Sequence, residues 1–478
     1  MDPLDAISLV NFIPRNNNVE LRAGHEVFAT DMGSTVIRTL HEHLDTNGVA
    51  KLLACTNNGD IFDASNPGAA TLIGTGASSD IWSWAMMDGF SVGVNGENQC
   101  KKYTVGGGLS DTVFTNINLV SDDKFVQVNA YRGKLYFVEK DTANIWYAAD
   151  GAISGAVARF PVGKIFARGG HALWTATWTR ETGANSDDIL VIASSNGEIL
   201  LYRGADPAAS DWTLTGRVEV ASLLGRRSFF RNGPDLVIIT QNGVYPLSAL
   251  LAIGQANQYS NLSDKISGAF GTAGKDYGSL AGWCGLLHDK GRFGFINIPI
   301  SLTSFKQYVF NPQNRSWCCF TGLNGYSWVV YKDDLYFGGI NGKVYKADTG
   351  KTDNNASIAA ECHWAYNYLR NRRDEKRFIE LTPIMSTDGT LNVTISSDVD
   401  FKNKASSSTV TIRANNGQPW NTGPWNSFRW GGGEVYVKRN CGTRGLGRNI
   451  SPRISGAFSG TTLNIESMQV LYEIGGIR

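Results

Sequence analysis

Residues 189–202 read ILVIASSNGEILLY: an apolar run, a polar bend at Asn196-Gly197, and a second apolar run ending in Tyr202. Asn and Gly both tolerate positive φ, so Asn-Gly between two apolar runs is the strongest short signal for a β-hairpin. The same unit recurs along the chain: LLACTNNGDIFDA from Leu52, FSVGVNGENQCKKY from Phe90, LYFVEKDTANIWYA from Leu135, LVIITQNGVYPL from Leu236 and LYFGGINGKVYKA from Leu335. Asn-Gly marks the bend at Asn58-Gly59, Asn95-Gly96, Asn196-Gly197, Asn242-Gly243 and Asn341-Gly342, and a looser turn spans Asp141 to Asn144. Successive bends from Asn58 to Asn242 are 37 to 52 residues apart, and the last step, to Asn341, is 99. A period of that size holds about four short strands. Such a unit cannot hide both faces of its sheet alone, so neighbours must stack and the ring must close, as in a β-propeller.

The predicted fold is therefore all-β, a β-propeller over 31–350. Six blades are counted, at 31–66, 80–106, 124–150, 170–205, 215–249 and 278–348; five or seven also fit the spacing. The first looks short, and the segment Val19–Thr30 is expected to supply its missing strand. Residues 1–30 are read as an N-terminal arm that gives a strand to the propeller or to the outer domain. The stretch 250–277 has few strand formers and reads as an inserted loop with one short helix near Asp264–Phe270. Polar residues 348–357 mark a boundary. Beyond it Ile358, Ala360, Cys362, Trp364, Tyr366 and Tyr368 share one face of a strand. The remainder of 351–478 reads as a β-sandwich-like domain of six or seven short strands.

The composition agrees: 54 Gly for turns and 22 Phe, 17 Tyr and 13 Trp for strand faces, with only 18% charged residues. The net charge of +1 gives no global attraction for nucleic acid. Seven Cys are scattered without a pairing pattern, no signal-peptide core is evident, and no apolar run is long enough for a membrane helix. These features predict folding in a reducing cytoplasm with no membrane-spanning segment.

No residue pattern points to catalysis, and no cofactor is expected. His41-x-His43 would face one way on a strand at metal-ligand spacing, but no third ligand is near in sequence, and solvated histidines are the expectation. The adjacent pairs Cys318-Cys319 and Cys362-His363 point to opposite faces of a strand and cannot easily share one ion. Residues 442–447, Gly-Thr-Arg-Gly-Leu-Gly, lack the Lys-Ser/Thr of a phosphate loop and read as a loop of the sandwich. Two basic clusters remain, Arg226-Arg227 with Arg231, and Arg370, Arg372, Arg373, Lys376 and Arg377 in a connector. Either is a candidate for non-specific phosphate contacts or for a subunit interface. Trp420, Trp425 and Trp430 recur every five residues in a Gly/Pro-rich loop, as partner-binding aromatics or as a cover for the sandwich.

The opening AISLVNFIPRNNNVELRAG, 6–24, with Asn11, Phe12, Pro14, Val19, Leu21, Arg22 and Gly24, resembles the start of the tail nozzle, or tail hub, proteins of short-tailed phages, also called packaged-DNA stabilisation proteins. Residues 337–361 resemble that family's junction between propeller and outer domain, and 445–478 its C-terminal strands. The resemblance implies a virion tail protein, assembled in the bacterial host's cytoplasm. It implies a homo-oligomer, a hexamer around a channel for double-stranded DNA below the portal. Its partners would be the adaptor or head-to-tail connector, the tail fibres, and a plug or needle. It implies retention of the packaged genome and its conduction during ejection. The competing reading is a secreted propeller that binds or cleaves glycans, suggested by the many Trp and Tyr; it requires clustered carboxylates such as Asp187-Asp188 or Asp333-Asp334 to face one another.

Overall fold

A computed structural model of the chain describes residues 5–181, 186–253, 261–413 and 435–475. The chain divides into two compact units. One comprises 27–306 with 324–346; the other comprises 1–26, 307–323 and 347–478.

The first unit is a β-propeller. Six self-contained sheets form its blades. Blade one runs Ile37–Leu44, Ala50–Thr56, Ile61–Asp63 and Thr71–Gly74; blade two runs Ser83–Met87, Phe90–Val94, Lys101–Thr104 and Gly108–Asp111. Blade three holds Phe125–Tyr131, Lys134–Glu139, Asn144–Ala148 and Gly155–Pro161, with Phe114–Thr115 added in parallel at its outer edge. Blade four is Ala172–Glu181, Ser186–Ser194, Glu198–Arg203 and Thr213–Glu219. Blade five has three strands, Phe229–Asn232, Asp235–Thr240 and Gly243–Pro246. Blade six has Ser327–Tyr331, Asp334–Gly338 and Val344–Ala347, with His25–Thr30 as its next strand.

Sequence periodicity places the hairpins of the first four blades correctly and misses where blades end. Thr213–Glu219 was expected to open blade five; it pairs with Glu198–Arg203 and closes blade four. Blade one has its own fourth strand, and His25–Thr30 completes the last blade instead, so a strand from near the N-terminus locks the ring. The expected sixth blade, 278–348, is two structures. The hairpin Cys284–His288 with Phe293–Pro299 stands between blades five and six. A Cβ on its Gly285 would lie 2.2 Å from the Phe230 ring of blade five. On its other side Phe295 meets Trp328 of blade six at 4.8 Å, and Asn297 donates to the Gly325 carbonyl. Segment 307–323, placed within the propeller by sequence, belongs to the other unit.

Stacking is what hides the sheet faces. One apolar cluster joins Leu52 and Ala54 of blade one to Tyr331, Tyr336 and Val344 of blade six; others join blades two and three, three and four, and four and five. The stretch 250–277 is helical rather than a loop. Helix α1, Leu247–Ile253, and helix α2, Ser267–Tyr277, flank a segment whose Leu262 amide bonds to the Val244 carbonyl on the last strand of blade five. Phe270 of α2 is fully buried, with its ring 6.1 Å from Trp283. Helix and segment thus cover the place of a fourth strand.

The second unit is a two-layer β structure. In one sheet Ala6–Val10 lies between Trp317–Phe320 and Ile358–Trp364, followed by Ile450–Phe458, Leu391–Val399 and Lys402–Ile412. The other holds Phe12–Pro14, Val19–Leu21, Leu463–Ile474 and Lys376–Thr387, which pairs in turn with Val435–Lys438 and Cys441–Gly447. Phe12, Leu21, Ile358, Cys362, Phe378, Met385, Val393, Ile454 and Ile465 meet in its core. The expected strand from Ile358 ends at Trp364, so Tyr366 and Tyr368 lie beyond it. Residues 442–447 are strand, not loop. Gly445 and Gly447 lie where a Cβ would come within 2.8 and 2.5 Å of Val399, so glycine there serves close packing. No helix of the described residues is long and apolar enough to cross a membrane.

Candidate functional site

The first strands of the blades converge on the axis of the propeller. Their residues Ile81, Trp82, Gln127, Phe229, Cys284 and Trp328 line a cavity of about 220 Å³, and Leu224, Leu280, Trp283 and Tyr326 line an adjoining one of about 260 Å³. Arg226 and Arg227 border both. They sit at the bend that enters blade five.

Arg227 spans the axis. Its Nη1 donates to the Arg38 carbonyl at 3.0 Å, and its Nη2 to Thr39 Oγ1 at 2.7 Å and the Trp82 carbonyl at 3.0 Å. Thr39 Oγ1 in turn donates to the Asp80 carbonyl, so blades one, two and five are tied at one hydroxyl. All three acceptors are neutral. Nearby Arg38 differs: its Nε lies 3.0 Å from Asp80 Oδ2, and its guanidinium stacks 4.8 Å over the Tyr326 ring. Arg226 makes no hydrogen bond or ion pair with any described residue. Burial lowers its pKa, against the opposing charges of Asp141 and Glu97, and Glu97 is itself bonded to Lys140. A guanidinium remains charged at neutral pH even so. Arg231 is exposed and reaches only the Thr177 carbonyl, at 3.5 Å.

The second basic cluster is split by the fold. Lys376 is 1% exposed, and its Nζ donates to the carbonyls of Asn371 at 2.6 Å, Asp374 at 3.0 Å and Arg448 at 3.3 Å. It staples the connector and is closed to any outside phosphate, which corrects its candidacy as a DNA contact. Arg370, Arg372, Arg373 and Arg377 are exposed; Arg372 lies 5.2 Å over the Tyr368 ring, and Arg377 pairs loosely with Glu473 at 3.7 Å. Trp420, Trp425 and Trp430 lie outside the described residues.

His41 and His43 face one way on the first strand of blade one, as expected, but they are packed rather than solvated. Nε2 of His41 and Nδ1 of His43 each lie 2.8 Å from Ser91 Oγ on blade two. The hydroxyl has one proton, so one ring accepts and the other donates. His41 stacks on Trp84 and His43 meets Tyr103 edge-on. Burial lowers both rings' pKa, with His41 pushed down to about 3 by burial and by His43. Burial also pushes the thiols of Cys55 and Cys284 up to about 12.

The carboxylate pairs are each taken up by cations. Asp187 meets Arg132 at 2.8 Å and Arg203 at 3.0 Å, and Asp334 is held by Lys290 and Lys346. Asp188 accepts from the Thr179 hydroxyl at 2.7 Å.

One cluster escaped the sequence reading as a contact. Arg22, 3% exposed, grips Asp353 with two parallel bonds of 2.8 and 2.6 Å, and donates further to Asn11 Oδ1, the Ala23 carbonyl and the Thr321 carbonyl. Asn11, at φ 57°, also donates to the Ala359 carbonyl and accepts from the Thr321 amide. His25 Nδ1 lies 3.1 Å from Asp353. Gly24 is obligatory, since a Cβ there would fall 1.8 Å from the Thr352 carbonyl oxygen. Burial alone would raise the Asp353 pKa; the bonds from His25 and Arg22 outweigh it and hold the carboxyl below its usual range. The motif Asn11…Arg22-x-Gly24 and the junction at Asp353 are both visible in sequence. What sequence does not carry is that they meet.

No protein-family model and no curated protein matches the chain. Among solved structures it is similar to YCF48 bound to a D1 peptide, at 12% identity and a TM-score of 0.37, covering 73% of this chain and 96% of that one. It is also similar to BBS1N in complex with ARL6DN, at 17% identity and a TM-score of 0.32, covering 48% of this chain and 73% of that one.

Proposed function

We propose that the chain is a structural tail nozzle, or tail hub, protein of a short-tailed phage. Copies of it, six in the ring the resemblance implies, surround a channel below the portal and adaptor. They retain and conduct the packaged DNA and anchor fibres or a plug. The observation that carries this reading is where the resembling segments lie. Residues 6–24, the junction and 445–478 are far apart in sequence, yet they are strand neighbours in one unit: Ala6–Val10 pairs with Ile358–Trp364, which pairs with Ile450–Phe458, while Val19–Leu21 pairs with Leu463–Ile474. A likeness confined to strands that build one sheet set, and to the Arg22 clasp within it, is what a shared architecture would leave.

The propeller axis bears on where DNA would pass. Arg227 crosses it, and the cavities beside it are small. The major groove of a duplex is alone about 12 Å wide. In this reading the channel is therefore formed between copies and not through a propeller. Among the charges predicted to meet DNA, the exposed Arg370, Arg372, Arg373 and Arg377 are the ones open to non-specific phosphate contact. The occupied carboxylates Asp187 and Asp334 give no support to glycan cleavage.

Quantitative mass spectrometry of purified virions tests the proposal. The chain is expected as a structural component, in a fixed ratio of six to the portal ring. Virions that lack it altogether would refute the assignment.

A further inference from the structure

We propose that the axial cavity of the propeller is a binding site for an organic carboxylate with an apolar body. The argument begins with charge. Two consecutive arginines border the cavity, and no carboxylate among the described residues is in ion-pair contact with either. Arg227 is satisfied by carbonyl and hydroxyl oxygens, which leave its charge uncompensated. Arg226 has no partner at all among the described residues. A half-buried guanidinium without an anion carries a desolvation cost that a ligand carboxylate would relieve.

The walls decide the rest of the ligand. Around Arg226 they are Ile81, Leu224, Leu280, Trp283 and Tyr326, apolar or aromatic. The adjoining space is floored by Trp328, whose Nε1 has no hydrogen-bond partner among the described residues and is buried. A volume of about 260 Å³ is at the lower end of small-ligand pockets. Inorganic phosphate would leave the apolar walls dry and unfilled, and a duplex is too wide to enter. A carboxylate on an aromatic or branched aliphatic body satisfies both the arginines and the walls, with planar two-bond geometry available at a guanidinium. A free small acid and the C-terminal end of a protein segment present the same chemistry. Arg231, pointing to the Thr177 carbonyl, is not required. This inference stands apart from the nozzle reading and holds for the propeller whatever the chain assembles with.

Calorimetric titration of the full chain with N-acetylphenylalanine, its uncharged amide, inorganic phosphate and a short DNA duplex tests it. Saturable binding of the acid is expected, at least tenfold tighter than the amide or phosphate. Arg226→Gln should weaken the acid at least tenfold while leaving the thermal midpoint unchanged, because Arg226 holds no structural bond. A peptide ending in a free Phe carboxylate, beside the same peptide amidated, separates the sources: tighter binding than the free acid points to a protein terminus, and equal or weaker binding to a small acid. Equal binding of acid and amide, no binding of the acid, an unaffected Arg226→Gln variant, or preference for phosphate or DNA would each overturn the proposal.

Discussion

At the scale of single residues, the recurrent Asn-Gly is explained differently from the rule that reveals it. In a tight two-residue hairpin both residues take positive φ. Here Gly59, Gly96, Gly197 and Gly342 do, at 67° to 89°, while their Asn partners do not. The glycines serve a second need. The chain leaving or entering a blade runs against them, so that a Cβ on Gly59 would be 2.1 Å from the Ala77 oxygen, one on Gly197 2.3 Å from the Val220 oxygen, and one on Gly342 1.7 Å from the Gly33 oxygen. The Ala77 and Val220 amides bond to the Gly59 and Gly197 carbonyls. Gly106 has the same φ and open space around it. Gly106→Ala should therefore cost only the left-handed penalty, about 1–2 kcal/mol, and Gly59→Ala or Gly342→Ala clearly more, read as urea unfolding free energies. Equal costs would remove the close-approach argument. Arg22 gives the sharper test. Breaking a buried ion pair by deleting one partner costs about 3–5 kcal/mol, so Arg22→Met should destabilise the outer β unit by that order.

At the scale of elements, hairpins were legible and their partners were not. Apolar runs around a turn name two adjacent strands, because that pairing is local. The outermost strands, such as Thr213–Glu219 with the pattern TLTGRVE, are mostly exposed and carry weak alternation, so nothing in the sequence says which blade they join. The helices of 247–277 were missed in part because their burial is supplied by blade five and not by their own pattern. Phe270→Ala should cost about 3–5 kcal/mol, measured by denaturant unfolding, if α2 truly replaces a strand. The contact between blades one and two carries a pH dependence. The folded pKa values of His41 and His43 lie below the ordinary 6.5. Their contribution is complete above pH 6.5 and is lost as pH falls toward the folded values, by at most about 1.4 kcal/mol per pH unit for each ring. Melting curves at pH 7 and pH 5 should show a drop that shrinks in His41→Gln. An unchanged drop would mean that the pair is not what titrates.

At the scale of the whole molecule, the sequence boundary near residue 350 separates the wrong pieces. The outer unit takes three segments, and its core needs Phe12 and Leu21 from the N-terminal arm. Distant pairing of this kind has no local signature. Of the candidate site, the arginine pair was visible as charge, whereas its convergence with Trp283, Tyr326 and Trp328 depends on ring closure. A fragment of 351–478 should be unfolded by circular dichroism, since the strand Ala6–Val10 and the Arg22 clasp are missing from it. A cooperative melt of that fragment would contradict the three-segment unit.

The proposed role rests on assembly, and electron cryomicroscopy of the purified full chain with its adaptor tests it most directly. The expected image is a closed ring of six propeller-bearing copies around an open channel, with each propeller's own axis blocked. A chain that stays monomeric beside the adaptor, or a ring whose only passage runs through the propellers, would contradict the account.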